Sequence, residues 1–125
     1  MSLAGNLAVL LKSAGLENVV EGQLPATPDE VIMVRATSGA EPLRTHGSAA
    51  YAQPRAQIIV RAKTYATAEA RADLAWRTMF RTNVTLDGVR YLSIHPIDSP
   101  MDVGADEQTP PRRLFSFNMQ ILKEV

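Results

Sequence analysis

Four carboxylates, Asp98, Asp102, Asp106 and Glu107, fall within the stretch DSPMDVGADEQTPP at residues 98–111, which leads into the most regular alternating pattern of the chain. Clustered acids can hold a metal, carry acid/base chemistry, dock on a partner or keep a loop soluble. A calcium loop of the EF-hand type needs alternating oxygen ligands, a central glycine and a closing bidentate glutamate. Here the aspartates recur every fourth residue with Ser99-Pro100 and Val103-Gly104 between them, and that pattern fails. Asp102 and Asp106 suit a different task, because an Asx side chain bonds backbone amides two residues on. Pro100 fixes φ and Gly104 permits a turn, so residues 98–112 read as a docking loop of defined shape with its acids toward a neighbour.

The two histidines, His46 and His95, lie in separate segments and form no HExxH or HxxxH pair. A His95–Asp98 dyad across the turn would also need a nucleophile and an oxyanion site. A strand-end histidine bonded to backbone is the simpler reading. A metal-dependent hydrolase built on Asp98, Asp102, Asp106 and His95 is nevertheless the rival of a different functional class. No GxGxxG or GxxxxGK loop occurs, which speaks against nucleotide chemistry. The basic residues are more suggestive: Arg35, Arg44, Arg55 and His46 bracket residues 38–54, and Arg112-Arg113 follow the acids. A basic loop and an acidic loop on a neutral chain suit head-to-tail contact between copies, with a solvated surface as the plainer alternative. The candidate interface residues are Arg44, His46, Tyr51, Arg55, Asp98, Asp102, Asp106 and Glu107. No catalytic residue, metal site or cofactor is expected.

Composition narrows the setting. Lys+Arg and Asp+Glu are 13 each, so there is no global basic excess of the kind a dedicated nucleic-acid binder carries. Cysteine is absent, which removes disulfides, thiolate catalysis and cysteine-ligated metal. The opening MSLAGNLAVLLKSAG lacks a basic n-region and does not read as a signal peptide. No apolar run approaches the ~20 residues that span a bilayer. The 125 residues fit one domain, 1–125.

Leu3, Leu7, Leu10, Leu11 and Ala14 share one helical face, with Gly15 as a left-handed cap. Val19-Val20 suit a brief strand and residues 30–36 a longer one. Residues 38–54, with two glycines, two prolines and no clear period, read as a long loop. Ala56, Ile58, Val60 and Ala62 alternate with polar or charged neighbours and with Ile59, as a central strand does. Residues 64–82 form the main helix, with Ala68, Ala72, Ala75, Trp76, Met79 and Phe80 on its core side. Asp87-Gly88 marks a type I′ hairpin between residues 84–86 and 89–94. Phe115, Phe117, Met119 and Ile121 alternate through the last strand. This order supplies no successive βαβ crossovers, so the expected class is α+β: a mainly antiparallel sheet with two helices packed on one face.

The residues Tyr51-Ala52-Gln53-Pro54-Arg55-Ala56-Gln57-Ile58-Ile59-Val60-Arg61-Ala62-Lys63, then Tyr65 and its helix, then SIHPIDSPMDVGADEQ, then RRLFSFNMQI, together resemble the tailed-bacteriophage family of minor capsid proteins or tail terminators. Pro54, Gln57, Val60, Arg61 and Lys63 stand where that family's strand motif places them. Ser99-Pro100, Gly104 and Asp106 fit its loop motif, and Phe117 and Asn118 its closing strand. Val103, Asp98 and the Thr109-Pro110-Pro111 run depart from the usual letters. The resemblance covers roughly residues 31–125. It implies a structural virion protein, assembled in the host cytoplasm. Such a protein forms a hexameric ring that caps the tail tube and meets the major tail tube protein and the head–tail connector or stopper. DNA would pass through the lumen without being read, and no membrane is involved. A head-completion or connector adaptor of the same neck region is the nearer alternative.

Overall fold

The structure is a computed structural model that describes residues 2–45 and 48–124, with side chains described outside residues 40–50. The chain folds as α1 (Leu3–Ser13), β1 (Val19–Glu21), β2 (Val31–Thr45), β3 (Ser48–Ala62), α2 (Tyr65–Thr78), β4 (Arg81–Leu86), β5 (Val89–Pro96), β6 (Met101–Ala105) and β7 (Arg113–Glu124). Among the described residues one seven-stranded sheet runs β1-β2-β3-β7-β5-β4, and β6 pairs with the first half of β7. Every pairing is antiparallel except β1 with β2. The fold is α+β, with both helices on one face of a curled sheet.

The reason lies in the period of two. Val34↔Ile58↔Phe117 and Ile32↔Val60↔Phe115 are cross-strand neighbours, so the alternating apolar positions of three strands stack on one face. Leu7, Leu10 and Leu11 of α1 and Ala68, Ala72 and Ala75 of α2 close over them, all buried. The alanines keep α2 close to the sheet. Each fully buried leucine or phenylalanine contributes on the order of 2 kcal/mol.

Local signals fix the helix ends. The Ser2 hydroxyl accepts from the Gly5 N–H and the Thr64 hydroxyl from the Thr67 N–H, both N-caps. At the end of α1, Gly15 at φ +89° lets its N–H reach the Lys12 carbonyl while Leu16 N–H reaches that of Leu11, a Schellman closure. A buried hydrogen bond, Asn6 Nδ2 to Tyr91 Oη at 2.6 Å, then ties α1 to β5.

Several expectations change. Residues 38–54, expected as a long loop, belong for the most part to the outer parts of β2 and β3; residues 46–47 lie outside the described residues. Strand pairing supplies what the local sequence lacks, and register shifts after Thr37, Ala40 and Leu43 absorb the irregular residues. Gly39 is required there, because a β-carbon would collide with the Gln53 carbonyl and the Pro54 Cα. The expected docking loop 98–112 contains strand β6. α2 stops at Thr78, short of residue 82: Arg81 Nε bonds the Thr78 carbonyl and Arg81 already begins β4. Met79 is buried and Trp76 is partly buried against the core as expected, whereas Phe80 packs edge to face on Trp76 at the surface and is 51% exposed.

Replacing Tyr91 by phenylalanine leaves the Asn6 amide buried without its acceptor. The expected loss is about 1–3 kcal/mol of unfolding free energy, read as a lower urea midpoint at unchanged m-value; an unchanged midpoint would mean that water reaches the Asn6 amide.

Candidate functional site

The expected acidic loop begins where Trp76 Nε1 donates to the Asp98 carbonyl at 2.9 Å, fastening it to α2. The Asp98 carboxylate accepts from Asn118 twice, from its backbone N–H at 2.8 Å and from Nδ2 at 3.1 Å. Asp102 accepts from the Gly104 N–H, which sits at positive φ, and pairs with Arg113 at 3.0 Å. Arg113 also lies over the Tyr65 ring, 5.8 Å from its centroid.

Asp106 makes the densest set of contacts. One carboxylate oxygen accepts from the backbone N–H of Arg112 at 2.8 Å and from that of Gln108 at 3.3 Å; the other meets Arg112 Nε at 2.6 Å. Arg112 is only 5% exposed. Its Nη1 donates to the Ala26 carbonyl at 2.6 Å and to Asp29 at 3.3 Å. Beside it, buried Arg61 donates to the Pro28 and Asp29 carbonyls. Two buried guanidiniums therefore hold residues 26–29, the segment that crosses from β1 to its parallel partner β2. Burial, and then the neighbouring Arg112 charge, lower the Arg61 pKa, with Asp106 and Asp29 opposing the shift.

The four acids are thus not one charged face. Asp98 is on the helix-free side with Asn118, Asp102 is beside Arg113 and Tyr65 on the helix side, and Asp106 is half-buried against Arg112. Glu107 is exposed. Among the expected basic partners, Arg55 is exposed and its Nε donates to Gln120 at 2.8 Å, while Tyr51 is half-buried in β3 opposite Leu43 and Glu124. The Arg44 backbone pairs with Ala49 in the outer hairpin; its side chain and all of His46 lie outside the described residues. Arg55, Asn118, Thr37, Ser38 and Ile97 line one shallow depression of about 380 Å³, and Asp98 is linked to it through its bonds to Asn118. His95 is exposed and opposite Gln120, so Asp98 turns to Asn118 rather than to it. Among the described residues no three His, Asp or Glu side chains converge as metal ligands.

Sequence reasoning missed Asp29, Arg61 and Arg112 as a unit. Arg61 sits at a polar position of an alternating strand and Arg112 follows a proline pair, so each reads as solvent-facing. The available signal was that both strand-flanking arginines project on the side where residues 22–30 must cross.

The N–H of Arg112 holds the Asp106 carboxyl below the usual carboxylate range; desolvation opposes this, and the Arg112 guanidinium and the Gln108 N–H reinforce it. An acid that ionises more readily folded than unfolded stabilises the fold above its ordinary pKa near 4 and loses that stabilisation as pH falls further. The thermal midpoint is therefore expected to drop steeply below about pH 4, and Asp106→Asn to flatten that acid limb while lowering the midpoint at pH 7. Arg112→Met should lower the midpoint by several degrees more than Arg113→Met, because it takes the guanidinium from half-buried Asp106, leaves Asp29 paired with Lys63 alone among the described residues and frees the Ala26 carbonyl of the crossing segment. Equal effects of the two arginine variants would show that burial of Arg112 carries no special weight.

Comparison with known proteins places this geometry in context. In the solved structures, a chain from the virion of a native gene transfer agent particle superposes with a TM-score of 0.70 at 15% identity, over 99% of this chain and 96% of that one. This likeness shows a shared fold across the whole domain. A second solved chain aligns over 94% of this chain and 88% of its own at 13% identity, with a TM-score of 0.47, too low to bear on the fold. No curated protein sequence gives a significant match. The family model for bacteriophage tail terminator proteins matches residues 9–124, from within α1 to the end of β7, and the chain belongs to that family, a structural component of a phage tail.

Proposed function

We propose that this chain acts as a tail terminator in the full sense: identical subunits, six in the ring the resemblance implies, close over the end of the tail tube and stop its growth. The same ring offers its other side to the head–tail connector or stopper, and DNA passes through its lumen. The role is structural and non-catalytic, and assembly takes place in the host cytoplasm. None of the helices among the described residues is long and apolar enough to cross a membrane.

One observation carries the reading beyond the family. β7 accompanies β3 only as far as Tyr51↔Glu124, while β2 and β3 continue to pair through Leu43↔Tyr51, Arg44↔Ala49 and Thr45↔Ser48. Among the described residues the pairs Arg44↔Ala49 and Thr45↔Ser48 therefore have no third strand beside them. A two-stranded ribbon without a third strand or a helix behind it is marginal alone and gains stability by reaching a neighbour. In this reading Arg44 and Tyr51, with His46 between them in sequence, meet the next subunit or the tube. Asp98, Asp102 and Asp106 act by fixing the shape of the β6 edge through Asn118, Arg113 and Arg112, and exposed Glu107 is left to face a neighbour. Exposed Met101, Val103 and Ile97 beside those acids, each about half exposed, supply the apolar area that such a contact needs.

Shortening the hairpin to a tight turn between Ala40 and Tyr51 leaves the helix-covered core intact. Particles carrying that version should show overlong or headless tails by negative-stain electron microscopy, although the isolated protein keeps its circular dichroism spectrum. Tails of normal length joined to heads would reject the hairpin as an assembly element.

A further inference from the structure

The face of the sheet opposite the helices has an organisation that subunit assembly does not by itself require. Along β2 and β3, Arg35 stands opposite Gln57, and Thr37 opposite Arg55; across β7 these rows continue to Asn118 and Gln120. Both arginines are exposed. Arg35 donates to Gln57 Oε1 from Nε at 2.8 Å and from Nη2 at 2.5 Å, and Arg55 Nε donates to Gln120 Oε1. The glutamines are held in turn, Gln57 Nε2 by the Ser116 hydroxyl and Gln120 Nε2 by the Pro54 and Ile121 carbonyls.

Each guanidinium is therefore oriented by a neutral amide, which leaves its full charge and its remaining N–H donors toward solvent. Among the described residues neither arginine pairs with a carboxylate, whereas Arg77, Arg90, Arg112 and Arg113 all do. Asp98, which bonds Asn118 of the neighbouring strand, already spends both oxygens on that residue. Exposed His95 lies at the far end of the Arg55 row.

We propose that this helix-free face is a contact surface for the phosphodiester backbone of duplex DNA, with Arg35 and Arg55 as the phosphate ligands. Charge complementarity favours a polyanion, and fixed guanidinium planes suit phosphate oxygens. The rest of the face selects among polyanions. It presents no aromatic ring in these rows on which an unpaired base could stack, which disfavours single strands. A broad sheet surface carrying short amides also cannot enter the major groove to read base edges. Such a face touches backbone only and is indifferent to sequence, as a surface past which DNA slides must be. The proposal rests on the ring reading only for where DNA is met; the binding itself belongs to the single subunit.

Fluorescence anisotropy of the purified protein with two labelled duplexes of unrelated sequence, titrated across ionic strength, tests it. Arg35→Gln with Arg55→Gln should weaken binding equally for both duplexes and reduce the slope of log K against log salt by about one for each arginine. Arg77→Gln with Arg81→Gln, on and just after α2, should leave the slope unchanged. Absence of binding by the unaltered protein, or an unchanged slope in the first double variant, overturns the proposal. So does a first double variant that loses self-association in sedimentation while keeping its DNA affinity, which would make the face a protein interface. The ring reading fails separately, by normal tails in the hairpin-shortened particles, whatever the anisotropy shows.

Discussion

A buried guanidinium is tolerated only when its donors are met, and this subunit builds one side of its sheet around two of them. Arg61 and Arg112 reach carbonyls at Ala26, Pro28 and Asp29 that no strand partner claims, and Arg112 adds the carboxylates of Asp29 and Asp106. Removing water from such a cluster is costly, and the cost is offset only because every contact is made at once. The result is a geometric lock. The segment crossing from β1 to its parallel partner is held down on the helix-free side, and the turn between β6 and β7 is closed by Asp106. The end of β6, and with it the shape of the stretch that carries Asp106 and Glu107, follows from that lock, while Trp76 and Asn118 hold its beginning through Asp98.

This explains why the acids looked different in sequence. Aspartates spaced along a proline- and glycine-containing run give no hint of which arginine or amide each will meet, since the partners are at residues 112, 113 and 118 and are set by register. The core was legible because its signal is local and periodic. Phe115 to Ile121, Ala56 to Ala62, the leucines of α1 and the Asp87-Gly88 turn, with φ of 50° and 77°, all stand where their spacing places them. The outer halves of β2 and β3 were illegible for the converse reason. Alanine, glycine, serine and proline carry little strand preference, and only a partner strand, admitted by Gly39 and a series of register shifts, makes them extended. Phe80 misled because helical spacing was projected past Thr78, where the chain had already turned into β4.

The two faces of the sheet divide labour by chemistry. The helix side is sealed by leucine, alanine and aromatic side chains and holds the subunit together. On the other side, past Met33, Ile59 and the acid-paired Arg112, the rows of Arg35, Gln57 and Asn118 and of Arg55 and Gln120 form a polar patch in which amides orient the charges without neutralising them. A sheet that buried both faces would have no surface to offer, and one with charges paired to acids would offer a neutral one. Membership of the tail terminator family puts such a surface on a structural component of a phage tail.

The hydrogen bond between Asn6 and Tyr91 spans 85 positions of the chain. α1 packs on β1 and β2, whereas Tyr91 belongs to β5, and β3 and β7 lie between β2 and β5 in the sheet. The bond is therefore a polar cross-tie between parts of the sheet that never pair with each other. Strand pairing alone leaves the curl of a sheet adjustable, and a buried amide that must meet one hydroxyl selects a single curvature.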